Sequence, residues 1–233
     1  MSLLRPRLLA PALALILTAC GPAATAVSTT AVPASPTAAA PTAEPPATDT
    51  PSAPTAEPLL FHILPEESEA RFIIDEVLGG QPNTVIGATH EITGEIRVDP
   101  AAPHQAQVGP IHIQVGGLAT DNGFRNRAIH SFILQTGSFP EVVFAPTSID
   151  GLPTQAVVGQ SFSFTITGDL TIRAITRPVT FTVTVTPESK ERVSGTASAQ
   201  IARADYQLTI PSVRNVANVS ETLRLELDFT ATS

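Results

Sequence analysis

The histidines and the cysteine are the first candidates for metal ligands, general bases or nucleophiles, and the sequence has five histidines and one cysteine. No two histidines have the i, i+2 or i, i+4 spacing that places two metal ligands on one face of a strand or helix. The sequence also lacks a Gly-x-Ser-x-Gly motif, a phosphate-binding loop and a dinucleotide-binding motif. We therefore predict no catalytic residue, no metal site and no cofactor. The histidines are His62, His90, His104, His112 and His130.

The charge of the chain is acidic. It carries 13 Lys and Arg against 21 Asp and Glu, for a formal net charge of -8. Proteins that bind nucleic acids through phosphate contacts carry an excess of basic residues. We therefore exclude nucleic acid as a partner.

Arginines are the remaining candidates for a polar site. Arg125 and Arg127 lie two residues apart, and Arg173 and Arg177 lie in a turn between two predicted strands. These four side chains would form either a basic mouth for a phosphate or quinone headgroup or weak surface pairs with nearby carboxylates. The same two alternatives hold for Arg203. The candidate carboxylates are Asp121, Glu141, Asp169 and, for Arg203, Asp205.

The first 19 residues have the pattern of a secretory signal peptide. Arg5 and Arg7 precede a short apolar run that ends at Leu17, too short to span a bilayer. The sequence LTAC at residues 17–20 resembles the lipobox of bacterial lipoproteins, and Cys20 is the only cysteine. The resemblance implies cleavage before Cys20 and lipidation of its thiol. We expect an exported lipoprotein of the cell envelope, held in the membrane by lipidated Cys20.

Residues 20–58 are predicted to be a disordered tether. Pro, Ala, Thr and Ser occupy 32 of the 38 positions from 21 to 58. Such a composition cannot bury a core, and spaced prolines favour extended, solvated backbone. Residues 59–233 then form one folded domain.

The folded domain shows the period-two alternation of β-strands with one apolar and one polar face. In residues 162–172, for example, Phe162, Phe164 and Ile166 alternate with serine and threonine. Clean alternation favours an antiparallel sheet, either a closed barrel or a sandwich. We also expect Pro178, which has no N–H group, at the start of a strand. The predicted strands are 70–78, 84–88, 92–98, 108–118, 142–149, 162–172, 179–186, 193–202 and 223–230.

One segment predicts a short helix instead. Asp121 and Asn122 offer N-cap side chains before residues 124–134. The expected apolar face, which would pack against one end of the barrel, consists of Phe124, Ala128, Ile129, Phe132 and Ile133.

Several motifs, taken in order, resemble the YceI-like family of bacterial polyisoprenoid-binding proteins. They are SEARF at 68–72, Gly87, GEIRVD at 94–99, LATDN at 118–122, RN at 125–126, FP at 139–140, VF at 143–144, GDLTIR at 168–173, TRPV at 176–179 and ARADY at 202–206. The resemblance covers about residues 59–231 and implies an all-β fold, an eight-stranded antiparallel lipocalin-like β-barrel. It also implies that the barrel holds an apolar chain such as a polyisoprenoid or quinone.

The inward residues of the alternating strands are the candidates for contact with that ligand. An eight-stranded barrel is either filled by its own side chains or holds one slim ligand, so each residue is a candidate for core packing as well. The alternative function is accordingly a filled barrel that serves as a non-enzymatic adhesion or interaction module. The candidate lining residues are Phe72, Ile74, Ile96, Val98, Ile111, Ile113, Phe144, Phe162, Phe164, Ile166, Phe181, Val183, Leu225, Leu227 and Phe229.

Overall fold

The computed structural model describes residues 57–233, which form thirteen antiparallel strands and one short α-helix. Cys20 and the predicted signal peptide and tether lie outside the described residues, except for the last two tether positions. The strands are β1 Leu59–Ile63, β2 Glu69–Leu78, β3 Gln81–Thr89, β4 Ile92–Thr93, β5 Glu95–Val98, β6 Gln107–Val108, β7 Ile111–Gln114, β8 Glu141–Asp150, β9 Phe162–Ile172, β10 Ile175–Pro187, β11 Arg192–Ala202, β12 Val216–Ala217 and β13 Thr222–Thr232.

The sheet curls back on itself to form the barrel. Neighbouring strands pair in the order β4-β7-β8-β9-β10-β11-β13, and β13 pairs with β2, which pairs with β3. Only His90 and Glu91 separate the end of β3 from the start of β4, so the path returns to its first strand. With β3 and β4 counted as one interrupted strand, this path has eight strands, and the prediction of an all-β, eight-stranded antiparallel barrel with one short helix is confirmed.

The alternation of the sequence separates the two faces of the sheet. Leu170, Ile166 and Val183 point inward and are buried. On the outer face, hydroxyl groups pair across β9 and β10: Ser163 with Thr184 at 2.9 Å and Thr167 with Thr180 at 2.8 Å. Such cross-strand contacts stabilise the register while the inner face supplies the apolar surface.

Turn chemistry accounts for the hairpin between β2 and β3, and one expectation about a proline is corrected. Gly79 and Gly80 connect β2 to β3, and both have positive φ (60° and 83°), as a two-residue hairpin turn requires. Pro178 lies inside β10 rather than at a strand start. Strand β10 pairs with β11 only from Thr182 onward. At Pro178 the strand is paired with β9 alone, and a missing N–H group is tolerated there.

The predicted helix is present as α1, Gly123–Ala128, followed by a π-helical turn, Ile129–Ile133. The Asn122 side chain caps the helix by accepting hydrogen bonds from two backbone N–H groups. The expected apolar face is only partly correct, because Ile129 is 5% exposed whereas Phe124 is 79% and Phe132 is 66% exposed. The N–H of Leu134 donates to the carbonyl of Ile129, five residues back, and this wider turn breaks the helical period on which the predicted face was based.

Short strands extend the barrel at its other end. β1 pairs with the last residues of β13 and with β5, and β5 pairs with β6. The alternating residues Leu59, Phe61 and Ile63 of β1 pack in or against the core. Across residues 57–233, no helix is long and apolar enough to cross a membrane.

Candidate ligand-binding cavity

The inward faces of the strands surround a cavity of about 1100 Å³. On β9, every inward side chain from Phe162 to Ile172 lines it. Ten residue steps at about 3.3 Å each give a length of roughly 33 Å along this strand. The cavity is therefore elongated, and its dimensions suit an extended hydrocarbon chain.

All fifteen residues predicted from the alternation line this one cavity. Six of them are buried: Ile74, Ile111, Phe144, Ile166, Val183 and Phe229. The other nine are half-buried: Phe72, Ile96, Val98, Ile113, Phe162, Phe164, Phe181, Leu225 and Leu227. Because these nine side chains line the cavity, their remaining accessible surface is available to a ligand. Contact between each of the fifteen and a ligand stays a prediction.

Aromatic rings lie against the cavity wall where glycines leave room for them. A Cβ atom on Gly168 would lie 2.7 Å from Cζ of Phe144, and one on Gly195 would lie 2.7 Å from Cζ of Phe229. Phe144 also packs edge-on against Phe181, with 4.9 Å between the ring centroids. Rings in these positions cover the backbone of the sheet, so large side chains coexist with an open interior.

A buried ion pair is the main polar feature of the wall. Glu76 on β2 faces inward and its side chain is only 8% exposed. Its Oε1 accepts hydrogen bonds from Arg125 Nη2 and from Asn83 Nδ2, both at 3.0 Å. Arg125 also contacts Asp121, which precedes the N-cap of α1 and is one of the carboxylates proposed as its partner. The guanidinium contact offsets the Glu76 charge within a mostly apolar wall.

Arg203 fixes the segment of residues 207–221, part of which lines the same end of the cavity. Its guanidinium donates to the backbone carbonyls of Ser220 at 2.7 Å and Leu208 at 3.2 Å. Its carboxylate partner is Glu221 at 2.9 Å rather than the neighbouring Asp205. Sequence proximity suggested Asp205, but the return of the chain before β13 brings Glu221 closer.

The four arginines proposed as a basic mouth do not act together. Arg125 lines the cavity and is paired, as described above. Arg173 donates to the carbonyl of Ile133 at 3.3 Å. Arg127 and Arg177 are exposed, and neither has a carboxylate within 4.0 Å among residues 57–233. Of the carboxylate pairs considered for these four arginines, only Arg125 with Asp121 is present among residues 57–233.

The histidines of the folded region take part in local hydrogen bonds. His112 contacts Glu141 at 3.1 Å, His130 contacts the carbonyl of Leu118 at 2.8 Å, and His90 contacts the carbonyl of Ser68 at 2.7 Å. In the part of the chain that the structure describes, no group of three or more His, Cys, Asp or Glu side chains could hold a metal ion.

Several lining residues were absent from the sequence prediction. β1 contributes Leu59 and Phe61, whose alternation was visible in the sequence but spans only five residues. The segment after Arg203 contributes Leu208, Ile210 and Val213, which lie in irregular structure with no periodic signal. Propensity and period could not have placed this segment, because its position depends on contacts with distant residues.

The fold and the cavity together define a class of protein: an antiparallel barrel that surrounds an elongated apolar interior. Comparison with known proteins narrows this class. The model of the YceI-like domain family matches residues 61–231, and the chain belongs to that family.

Individual relatives agree with this assignment. A UPF0312 protein of Pseudomonas putida strain W619 is 25% identical over 142 residues, which are 60% of this chain and 70% of that protein. A polyisoprenoid binding domain from Saccharophagus degradans, implicated in plant cell wall breakdown, has a similar fold, with a TM-score of 0.59 and 13% identity over 74% of this chain and 98% of that chain. Burkholderia cenocepacia BcnA gives a TM-score of 0.56 and 18% identity, covering 73% of this chain and 99% of that chain.

Proposed function

We propose that this chain is a lipid-binding lipoprotein of the cell envelope, which holds an apolar chain such as a polyisoprenoid or quinone in its barrel for carriage or sequestration. The observation that carries the proposal is the cavity of about 1100 Å³ lined mostly by inward Phe, Ile, Leu and Val side chains. The family and the polyisoprenoid binding domain of S. degradans support the same class of ligand.

The energetics of such binding need no polar recognition motif. Each methylene group buried from water contributes about 0.8 kcal/mol, so a long chain gains affinity from many small contacts. The role is binding rather than catalysis. The alternative, a filled barrel used for adhesion, does not account for an interior of this volume.

Replacement of a small inward residue tests the cavity directly. Ala197 lines the cavity on β11, whereas its neighbour Thr196 is exposed on the outer face. We expect Ala197→Phe to reduce the uptake of a long-chain polyprenol or of ubiquinone, and Thr196→Phe to leave uptake unchanged. Bound probe is measured by native mass spectrometry, and the melting temperature of each variant shows whether it is folded. Wild-type protein that takes up neither probe would contradict the proposal.

Membrane attachment is tested separately. The proposed anchor is the lipidated thiol of Cys20, with residues 20–58 as the tether. We expect Cys20→Ser to abolish incorporation of labelled palmitate, whereas the wild-type protein incorporates the label and is recovered in the membrane fraction. A membrane-bound, unlabelled wild-type protein would contradict lipidation.

A further inference from the structure

Exposed apolar side chains surround the cavity at the end of the barrel where α1 lies. Phe124 is 79% exposed, Val213 is 50% exposed and Leu78 is 41% exposed, and all three also line the cavity. Phe132, on the turn that follows α1, is 66% exposed. We call these four residues the helix rim. Large apolar side chains grouped at one opening differ from the single exposed residues that are common on protein surfaces.

Specific contacts hold the three elements of the helix rim together. Arg125 of α1 binds Glu76 of β2 at 3.0 Å. The N–H of Gly79 donates to the carbonyl of Asn215 at 2.7 Å, and β12 pairs with the end of β2. The rim is therefore a fixed part of the fold.

Unpaired arginines accompany the exposed aromatic residues. The guanidinium of Arg127 lies over the ring of Phe124, with 4.5 Å to the ring centroid. Arg214 follows Val213 and is also exposed. Among residues 57–233, neither Arg127 nor Arg214 has a carboxylate within 4.0 Å. At the other end of the barrel Arg192 binds the carboxylates of Glu67 and Glu188. The exposed apolar residues there, Leu60, Val157 and Val158, include no aromatic ring.

We infer that the helix rim docks on a lipid bilayer that contains anionic lipids, so that the cavity opens toward the membrane. The inference rests on the proposed function and names the partner from which the apolar ligand enters. Phe124 and Phe132 enter the boundary between headgroups and acyl chains, and Arg127 and Arg214 contact lipid phosphates. An apolar chain then passes between bilayer and cavity without crossing water.

Charge favours a bilayer over a second copy of this chain. A two-fold symmetric contact through the rim would bring the unpaired arginines of both copies together. An anionic lipid surface instead complements them, although the chain as a whole carries a net charge of -8.

The test uses two residues of this end that do not line the cavity, Phe132 and Arg127. The matched control changes Val157 and Arg97, which are exposed and lie toward the other end of the barrel. All proteins are the mature chain from residue 20 onward with Cys20→Ser, so that neither the signal peptide nor a lipid anchor contributes. Binding is measured by co-sedimentation with vesicles of phosphatidylcholine alone and of phosphatidylcholine with phosphatidylglycerol.

We expect Phe132→Ser with Arg127→Gln to weaken binding to the anionic vesicles by about tenfold or more, since it removes an aromatic ring that enters the bilayer and a basic group that contacts phosphate. Val157→Ser with Arg97→Gln should bind as the wild type does. Equal binding by the two double variants would overturn the inference. A change from dimer to monomer in Phe132→Ser with Arg127→Gln, without a change in vesicle binding, would also overturn it and would identify a second copy as the occupant.

A separate measurement distinguishes this inference from the proposed function. Polyprenol delivered from detergent micelles reaches the cavity without a bilayer, so both double variants should load as much as the wild type does. Failure of the wild type to load from micelles contradicts the proposed function, whatever the vesicle result. If the wild type loads normally from micelles but Phe132→Ser with Arg127→Gln binds vesicles as well as the wild type does, only the docking inference is contradicted.

Discussion

The ring of Phe72 lies over the backbone of Gly87, its cross-strand partner in the pairing of β2 with β3. A Cβ atom on Gly87 would lie 2.1 Å from Cε1 and 2.6 Å from Cζ of this ring. The ring thus occupies the place of a missing side chain on the neighbouring strand. An inward phenylalanine that lies along the wall in this way leaves the centre of the barrel open.

Gly87→Ala is expected to push the Phe72 ring toward the cavity. Overpacking of this kind costs typically about 1–3 kcal/mol in the free energy of unfolding, and the displaced ring should also weaken ligand binding. Phe72→Leu combined with Gly87→Ala should recover much of the loss, because the shorter side chain leaves room for the methyl group. Denaturant unfolding and polyprenol titration measure the two effects.

Gly116→Ala is the control for this substitution, since no heavy atom lies within 4 Å of the added methyl group. Its stability should equal or slightly exceed that of the wild type, because alanine restricts the unfolded chain. If Gly87→Ala behaves like Gly116→Ala, the contact between ring and glycine does not restrain Phe72.

Loss of Arg125 should destabilise the fold through the charge that it leaves behind. Glu76 would remain inside the barrel without its guanidinium partner, and breaking one side of a buried ion pair costs about 3–5 kcal/mol. Arg125 is 19% exposed, so we expect Arg125→Met to fall near the lower end of that range.

The variant with both partners replaced, Glu76→Leu with Arg125→Met, should regain most of this stability, since no unpaired charge is left. A double-mutant cycle from denaturant unfolding gives the coupling between the two residues. A coupling near zero would show that Glu76 is solvated and independent of Arg125.

Arg203→Lys should loosen the segment of residues 207–221 without unfolding the barrel. The planar guanidinium contacts two carbonyls and Glu221 at once, and an ammonium group cannot reproduce that geometry. We expect faster amide hydrogen exchange in this segment and faster release of a bound polyprenol, while exchange in β9 and β10 stays slow. Equal acceleration in β9 would indicate general destabilisation instead.

The sequence predicted those features of the structure that depend on the two-residue period of the strands. Inward residues such as Phe164 and Leu227 recur at every second position, so the inner face that they share followed from alternation. An open interior, in contrast, was implied only by the family resemblance. Contacts between distant segments produce no periodic signal in the sequence. Glu76 lies 49 positions before Arg125, and Glu221 lies 18 positions after Arg203. The exposure of Phe132 was missed for a related reason, because the π-helical turn changes the period within the helix.

Tyr206 links stability to alkaline pH. It is 1% exposed, and its hydroxyl has no hydrogen-bond partner in the described structure. Burial, together with the charge of Asp205, raises the pKa of this phenol from 10.0 to about 12. The unfolded chain releases the proton near pH 10 and the folded chain holds it, so the free energy of unfolding should fall as pH rises from about 10 to 12.

Tyr206→Phe should remove this alkaline slope and raise the free energy of unfolding at pH 7 by about 1 kcal/mol, because an unpaired buried hydroxyl no longer has to be desolvated. The chain contains a single tyrosine and no tryptophan, so the ultraviolet absorbance of tyrosinate reports on Tyr206 alone. Titration of the folded and the urea-unfolded protein gives both pKa values directly. Identical pKa values in the two states would mean that water reaches the hydroxyl in the folded protein, and Tyr206→Phe would then leave the alkaline slope unchanged.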